Sequence, residues 1–187
     1  MRALVVYESM FGNTQAVAKA VAEGMSQHME TALLECSLAP TILPSDLDLV
    51  VVGAPTHAFS MSRPSTRESA KAQATGDVVS RGTGIREWLE TLAVPGEPTT
   101  RVATFDTRVR HPHLPGSAAS AALRRLRRLG LRPAAPAKSF WVLGSPGPLA
   151  HGQEDDARAW GAELARGLVQ TTPKIPTANP ETPRANG

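Results

Sequence analysis

Three short stretches carry residue types able to do chemistry together. Ser9-Met10-Phe11-Gly12-Asn13-Thr14 sets two hydroxyls, an amide and a glycine between an apolar run and a helix-like stretch. Backbone N–H groups at a helix start, with the positive end of its dipole, favour a phosphate. Ser9, Asn13 and Thr14 add donors, and Gly12 permits close backbone approach. No lysine or arginine lies between Glu8 and Gln15, so an anion here is held by neutral hydrogen bonds. The loop has neither the glycines of a dinucleotide fingerprint nor the lysine of an NTPase loop, which disfavours both ligands. The plainer reading is that Ser9, Asn13 and Thr14 cap the helix.

The second stretch, Pro55-Thr56-His57-Ala58-Phe59 with Met61, offers apolar and aromatic surface plus a few polar groups, the usual make-up of a small-molecule site. Thr56 suits a hydrogen bond, and His57 or Phe59 suits stacking; ordinary loop packing is the competing reading for Phe59 and Met61. The third is Asp106-Thr107-Arg108-Val109-Arg110-His111-Pro112-His113. Its cations would stabilise negative charge on a neighbouring ligand, unless they simply point to solvent. Asp106 suits a bond to a ligand's polar edge or the orientation of an arginine. A metal centre on His57, His111 and His113 is disfavoured because no third ligand has supporting spacing. Cys36, the lone cysteine, excludes an internal disulfide and reads as a buried, inert thiol.

The elements that must position these stretches alternate. Strands are expected at Ala3–Tyr7, Thr31–Cys36, Leu47–Gly53, Arg101–Phe105 and Ser139–Leu143, and helices at Thr14–Met25, Ile85–Leu92, Ser117–Leu129 and Gln153–Leu168. Thr56–Gly82 is polar, lacks a convincing period and is long for a connection, so it reads as functional or mobile. Alternation of strand and helix predicts an α/β three-layer sandwich, a five-stranded parallel sheet of order 2-1-3-4-5 with helices on both faces. Ligands of such sheets sit beyond the carboxyl ends of the strands, where all three stretches fall. One domain is expected over residues 1–170, followed by a Pro-rich, disordered tail over 171–187.

No run approaches a membrane span and no signal-peptide pattern is visible, which predicts a cytoplasmic protein. The net charge of +3 owes much to Arg108, Arg110, Arg124, Arg125, Arg127, Arg128 and Arg132. A solvated helix face explains these better than a nucleic-acid surface, because no aromatic residues interleave for base stacking.

Val6-Tyr7-Glu8-Ser9-Met10-Phe11-Gly12-Asn13-Thr14 resembles the phosphate loop of the flavodoxin family. The resemblance extends to Val51–Phe59 and Ala103–Arg108, and spans roughly residues 2–168. It implies a flavodoxin-like fold and non-covalent FMN, with the phosphate at Ser9–Thr14 and the isoalloxazine ring between Pro55–Phe59 and Asp106–Arg108. The loop departs from the usual Ser/Thr-x-Thr-Gly-x-Thr at Phe11 and is closer to the Ser-x-x-Gly-Asn-Thr variant of flavodoxin-like oxidoreductases. The Trp and Tyr that commonly flank the ring are absent from the corresponding stretches. Carrier flavodoxins are typically acidic around the flavin, whereas Arg108, Arg110 and His111 act in the opposite direction and predict a higher potential.

Two versions of the function follow. An electron carrier would exchange electrons with a redox partner protein; an oxidoreductase would take hydride from NAD(P)H and reduce a quinone or another small-molecule acceptor. A flavin-free regulatory or interaction module is the alternative. A phosphate-bearing deazaflavin would meet the same loop requirement.

Overall fold

The computed structural model describes residues 1–74, 76–110 and 115–171. Strand β1 (Arg2–Tyr7) pairs in parallel with β2 (Glu30–Glu35) on one side and β3 (Leu49–Pro55) on the other, so Val5 is in register with both Leu33 and Val51. This central position explains its unbroken apolar sequence, since both of its faces are covered. Strand β4 (Arg101–Val109) follows β3, and the sheet order is β2-β1-β3-β4-β5. The fifth position is filled by two consecutive pieces. β5 (Arg132–Pro133) pairs with the start of β4, and β6 (Lys138–Val142) pairs with Phe105–Val109. The predicted 2-1-3-4-5 architecture holds, with that one strand divided.

Helices α1 (Asn13–Ser26) and α5 (Gln153–Thr171) cover one face, where Val5, Val51, Phe105 and Phe140 meet Val17, Val21 and Trp160. Phe105, Phe140 and Trp160 pack edge to face, with centroids 5.9–6.2 Å apart. Helices α3 (Ile85–Thr91) and α4 (Ala118–Arg128) cover the other, where Val6, Val50, Val52 and Val102 meet Trp88, Leu89 and Leu126. Two glycines let α1 and α5 touch backbone to backbone. A Cβ on Gly24 would lie 2.0 Å from the Arg158 carbonyl oxygen, and one on Gly161 would lie 2.2 Å from that of Val21.

The segment expected to lack regular structure contains α2 (Pro64–Gln73). Its start signal is present: Pro64 opens the helix, and the Thr66 hydroxyl accepts from the Arg63 N–H at 2.9 Å. The periodic signal is missing because the buried residues are Arg67 and Ala70, one charged and one small. Strand β4 also runs to Val109, past its expected end at Phe105, which places Thr107 and Arg108 on a strand. His111, His113 and the tail beyond Thr171 lie outside the described residues.

Candidate functional site

At the carboxyl edge of the sheet, the end of β1 passes through Glu8–Gly12 into α1. Gly12 takes the left-handed conformation, φ 88°, and among the described residues no side chain caps the helix. Nor is there an acidic residue in its first turn, so the open N–H groups face no built-in anion. The loop hydroxyls are not caps. Ser9 Oγ accepts from the Gly12 N–H at 3.1 Å, which tightens the loop on itself. The Thr14 and Thr107 hydroxyls, both buried, lie 2.7 Å apart and tie α1 to β4. Asn13 Nδ2 donates to the Pro146 carbonyl at 3.1 Å, which brings the segment after β6 over the loop.

A cleft opens beside this loop. Ser9, Met10, Phe11, Asn13 and Thr14 form one wall, Pro55, Thr56 and His57 another, and Thr107 and Arg108 a third. Val109, Val142 and Ser145 complete it and are additions to the expected set. Val109 proves to end a strand rather than to lie on a loop, while Val142 and Ser145 close the fifth strand position, whose carboxyl edge faces the same crevice. Burial pushes the His57 imidazole below its ordinary pKa; a hydrogen bond to the Thr66 backbone opposes this and the Arg67 charge adds to it. His57 is therefore a neutral wall at neutral pH. Among the described residues no carboxylate lines the cleft, and Arg108 is its permanently charged residue.

Four expected residues stand apart from the lining. Gly12 shapes the helix start from behind. Ala58 and Phe59 form a tight turn, with reciprocal hydrogen bonds between His57 and Ser60 of 2.9 and 3.0 Å. Both turn residues have positive φ, 43° and 71°, costly for residues with a Cβ. Phe59 is 51% exposed at its tip. The turn rests on Gly116, where a Cβ would fall 1.9 Å from the Phe59 carbonyl oxygen, and Arg108 Nη1 donates to the Gly116 carbonyl.

Asp106, the fourth, turns one carboxylate oxygen towards α4. Fully buried, its Oδ2 accepts from the Thr56 hydroxyl at 3.0 Å, the Ser117 hydroxyl at 2.5 Å and the Ala119 N–H at 3.1 Å. Thr56 Oγ1 in turn accepts from the Ala118 N–H at 2.9 Å. The carboxylate thus anchors the N-terminus of α4, where the helix dipole favours it, and occupies the Thr56 hydroxyl as well. The arginines ending α4 lie at the far end of the sheet, since Arg132 pairs with Arg101 at the start of β4. There they complement the negative end of the helix dipole.

The residues fit an FMN phosphate and ring edge. The fit rests on the uncapped, acid-free first turn of α1, a Gly12 with nothing within 4 Å of an added Cβ, and apolar walls from Phe11, Pro55, Val109 and Val142.

No family model matches the sequence, and no curated protein matches it. Solved structures do. A flavodoxin from the domain Archaea superposes with a TM-score of 0.62 at 17% identity, over 90% of this chain and 99% of that one. Oxidised flavodoxin 1 from Bacillus cereus gives 0.64 at 12% identity, over 92% and 100%. Rubredoxin oxygen:oxidoreductase from Desulfovibrio gigas gives 0.59 at 17% identity, over 90% of this chain but 36% of that one. With its sheet order, its covered faces and these neighbours, the chain has the flavodoxin-like fold.

Proposed function

We propose that the protein binds FMN non-covalently in this cleft and serves as a flavin redox protein. The observation that carries the reading is the uncapped start of α1, opening on a cleft whose other walls come from the ends of β3 and β4. The first-turn amides and Asn13 would hold the phosphate. Phe11, Pro55, His57 and Val109 would flank the ring, and the Phe59 turn, held by Gly116 and Arg108, would cover it. When bound, FMN supplies the electron-transfer and hydride-accepting chemistry. The chain supplies binding, exclusion of water and a positive field from Arg108.

The function is either an oxidoreductase passing electrons from NAD(P)H to a quinone or other small acceptor, or a carrier serving a redox partner protein. Fluorescence titration of the purified protein with FMN tests the shared premise. One equivalent should bind with quenching, and removal of the phosphate, by using riboflavin, should weaken binding strongly. A protein that binds neither is the flavin-free module instead. NAD(P)H consumption in the presence of quinones then separates enzyme from carrier. Among the described residues no helix is long and apolar enough to cross a membrane.

A further inference from the structure

Behind the phosphate loop lies a buried polar cluster that forms no part of the cleft wall. Glu8 Oε2 accepts from the Ile85 N–H at 2.8 Å, the Ser62 hydroxyl donates to the same carboxyl, and Arg67 faces it across the cluster. Arg67, on α2 and 7% exposed, donates from Nη1 to Ser62 Oγ at 2.9 Å and forms an ion pair with Glu87 Oε2 at 3.0 Å. That Glu87 oxygen also accepts from the Gly84 N–H at 3.0 Å. The groups converge on one point: a Cβ on Gly84 would lie 2.5 Å from Arg67 Nη1, 2.8 Å from Glu8 Oε2 and 2.9 Å from Ser62 Oγ.

The cluster reaches the cleft by two routes. Its Glu8 immediately precedes Ser9, whose N–H donates to Ser80 Oγ at 2.9 Å while the Ser80 N–H returns a 2.8 Å bond to the Ser9 carbonyl. On the other side, the Arg67 charge bears on His57, and the adjoining Thr66 backbone bonds the His57 ring. An apolar cluster of equal volume would serve stability as well as buried charges do. What an arginine adds is geometry, because its planar donors fix several partners at once.

We propose that Arg67 is the positioning residue of the cleft. Its guanidinium sets the spacing between the phosphate loop, the first turn of α3 and the His57 wall. For its effect on ligand binding this rests on the FMN reading; for its effect on His57 it does not.

The test compares Arg67→Met, Arg67→Lys and Glu87→Gln with the wild type. NMR titration of the His57 ring, assigned with His57→Gln, is run beside FMN titration and thermal unfolding. In Arg67→Met the His57 midpoint should move up, because a nearby cation is lost and the wall loosens. FMN binding should weaken on the order of tenfold, the lower end of what losing an outer-shell partner costs at metal sites. Arg67→Lys should recover part of the charge effect on His57 and less of the FMN affinity. A folded Arg67→Met protein with wild-type His57 titration and FMN affinity overturns the proposal. If Arg67→Met does not fold, Glu87→Gln, which removes the counter-charge of the guanidinium, should move the His57 midpoint down, because the Arg67 cation is then less compensated, and weaken FMN binding less than Arg67→Met; no change in either overturns the proposal. If the wild type binds no FMN, the FMN reading fails, and the His57 titration still decides the role of Arg67.

Discussion

Replacing Glu8 with glutamine probes the buried carboxylate beneath the phosphate loop through the pH dependence of stability. Burial pushes the Glu8 carboxyl above its ordinary 4.5, against the lowering effect of the Ser62 and Ile85 hydrogen bonds and of Arg67. The folded protein therefore keeps a proton that the unfolded chain releases above pH 4.5. Folding takes up that proton, so stability falls as pH climbs from 4.5 until the native carboxyl also ionises, and is flat beyond. One proton gives a slope of up to about 1.4 kcal/mol per pH unit. With a urea m-value of about 2 kcal/mol/M, the midpoint should move by up to about 0.7 M per pH unit. The neutral amide of Glu8→Gln cannot titrate, so the stability of this variant relative to wild type should rise with pH across the window. His57 runs the other way: its depressed pKa makes the protein lose stability as pH falls below 6.5. That contribution is common to both proteins and cancels in their difference. Urea unfolding of the pair at steps above pH 4.5 reads the slope directly. A difference independent of pH, or one that falls with pH, would refute the reasoning, since the hydrogen bonds and Arg67 would then have offset or outweighed burial.

Gly24→Ala should lower stability although alanine is the better helix former. The new methyl meets the Arg158 carbonyl at 2.0 Å, and prying α1 from α5 costs about 1–3 kcal/mol. A rise in the thermal midpoint, as helix propensity alone would give, would count against this close approach. Gly116→Ala combines φ +80° with a 1.9 Å collision at the Phe59 carbonyl. It should displace the Phe59 turn, cost about 1–3 kcal/mol in thermal unfolding and weaken FMN binding; unchanged binding would separate the turn from the ligand. Arg108→Gln should lower the potential of bound FMN by about 40 mV per electron, equivalent to about 1 kcal/mol. A spectroelectrochemical titration with no shift would mean that the guanidinium is screened from the ring.

The architecture is legible in the sequence because its signals are local and redundant. Ala3–Tyr7 reads as a buried strand on its own, and Val17, Val21 and Met25 mark the inner face of α1 without help from the rest of the chain. The Ser9–Thr14 turn between β1 and α1 can be read for the same reason, its residues being contiguous. What escapes is made by distant partners. Arg67 is buried at a position where the sequence presents a charge, and only Glu8, Ser62 and Glu87 together make that tolerable. Asp106 sits two residues before an arginine in the sequence, which suggests a joint role. Alternation along β4 puts it instead on the α4 side, where Thr56, Ser117 and Ala119 claim one oxygen. The two glycines that allow the α1–α5 contact, Gly24 and Gly161, look from the sequence like weak points in helices.

Phe11 joins the loop to this hidden polar cluster. It stands where the usual loop of the resembled family has a hydroxyl, and in the fold it packs against a cluster of Met10, Ala70 and Val78 together with Ala74. That cluster is the underside of the segment between β3 and α3, bonded to the loop through Val79 N–H to the Met10 carbonyl at 3.1 Å and the paired contacts of Ser80 with Ser9. The aromatic side chain thus exchanges one possible phosphate donor for a fixed loop. The segment it packs against is held in turn by Arg67 and Glu8. Under the FMN reading, a loop fixed in this way would compensate for the lost hydrogen bond, because a preorganised set of amides forfeits less entropy on closing around an anion. With the His57 pKa lowered and Arg108 the charged residue that lines the cleft, the proposed flavin would meet a positive charge as it accepts electrons.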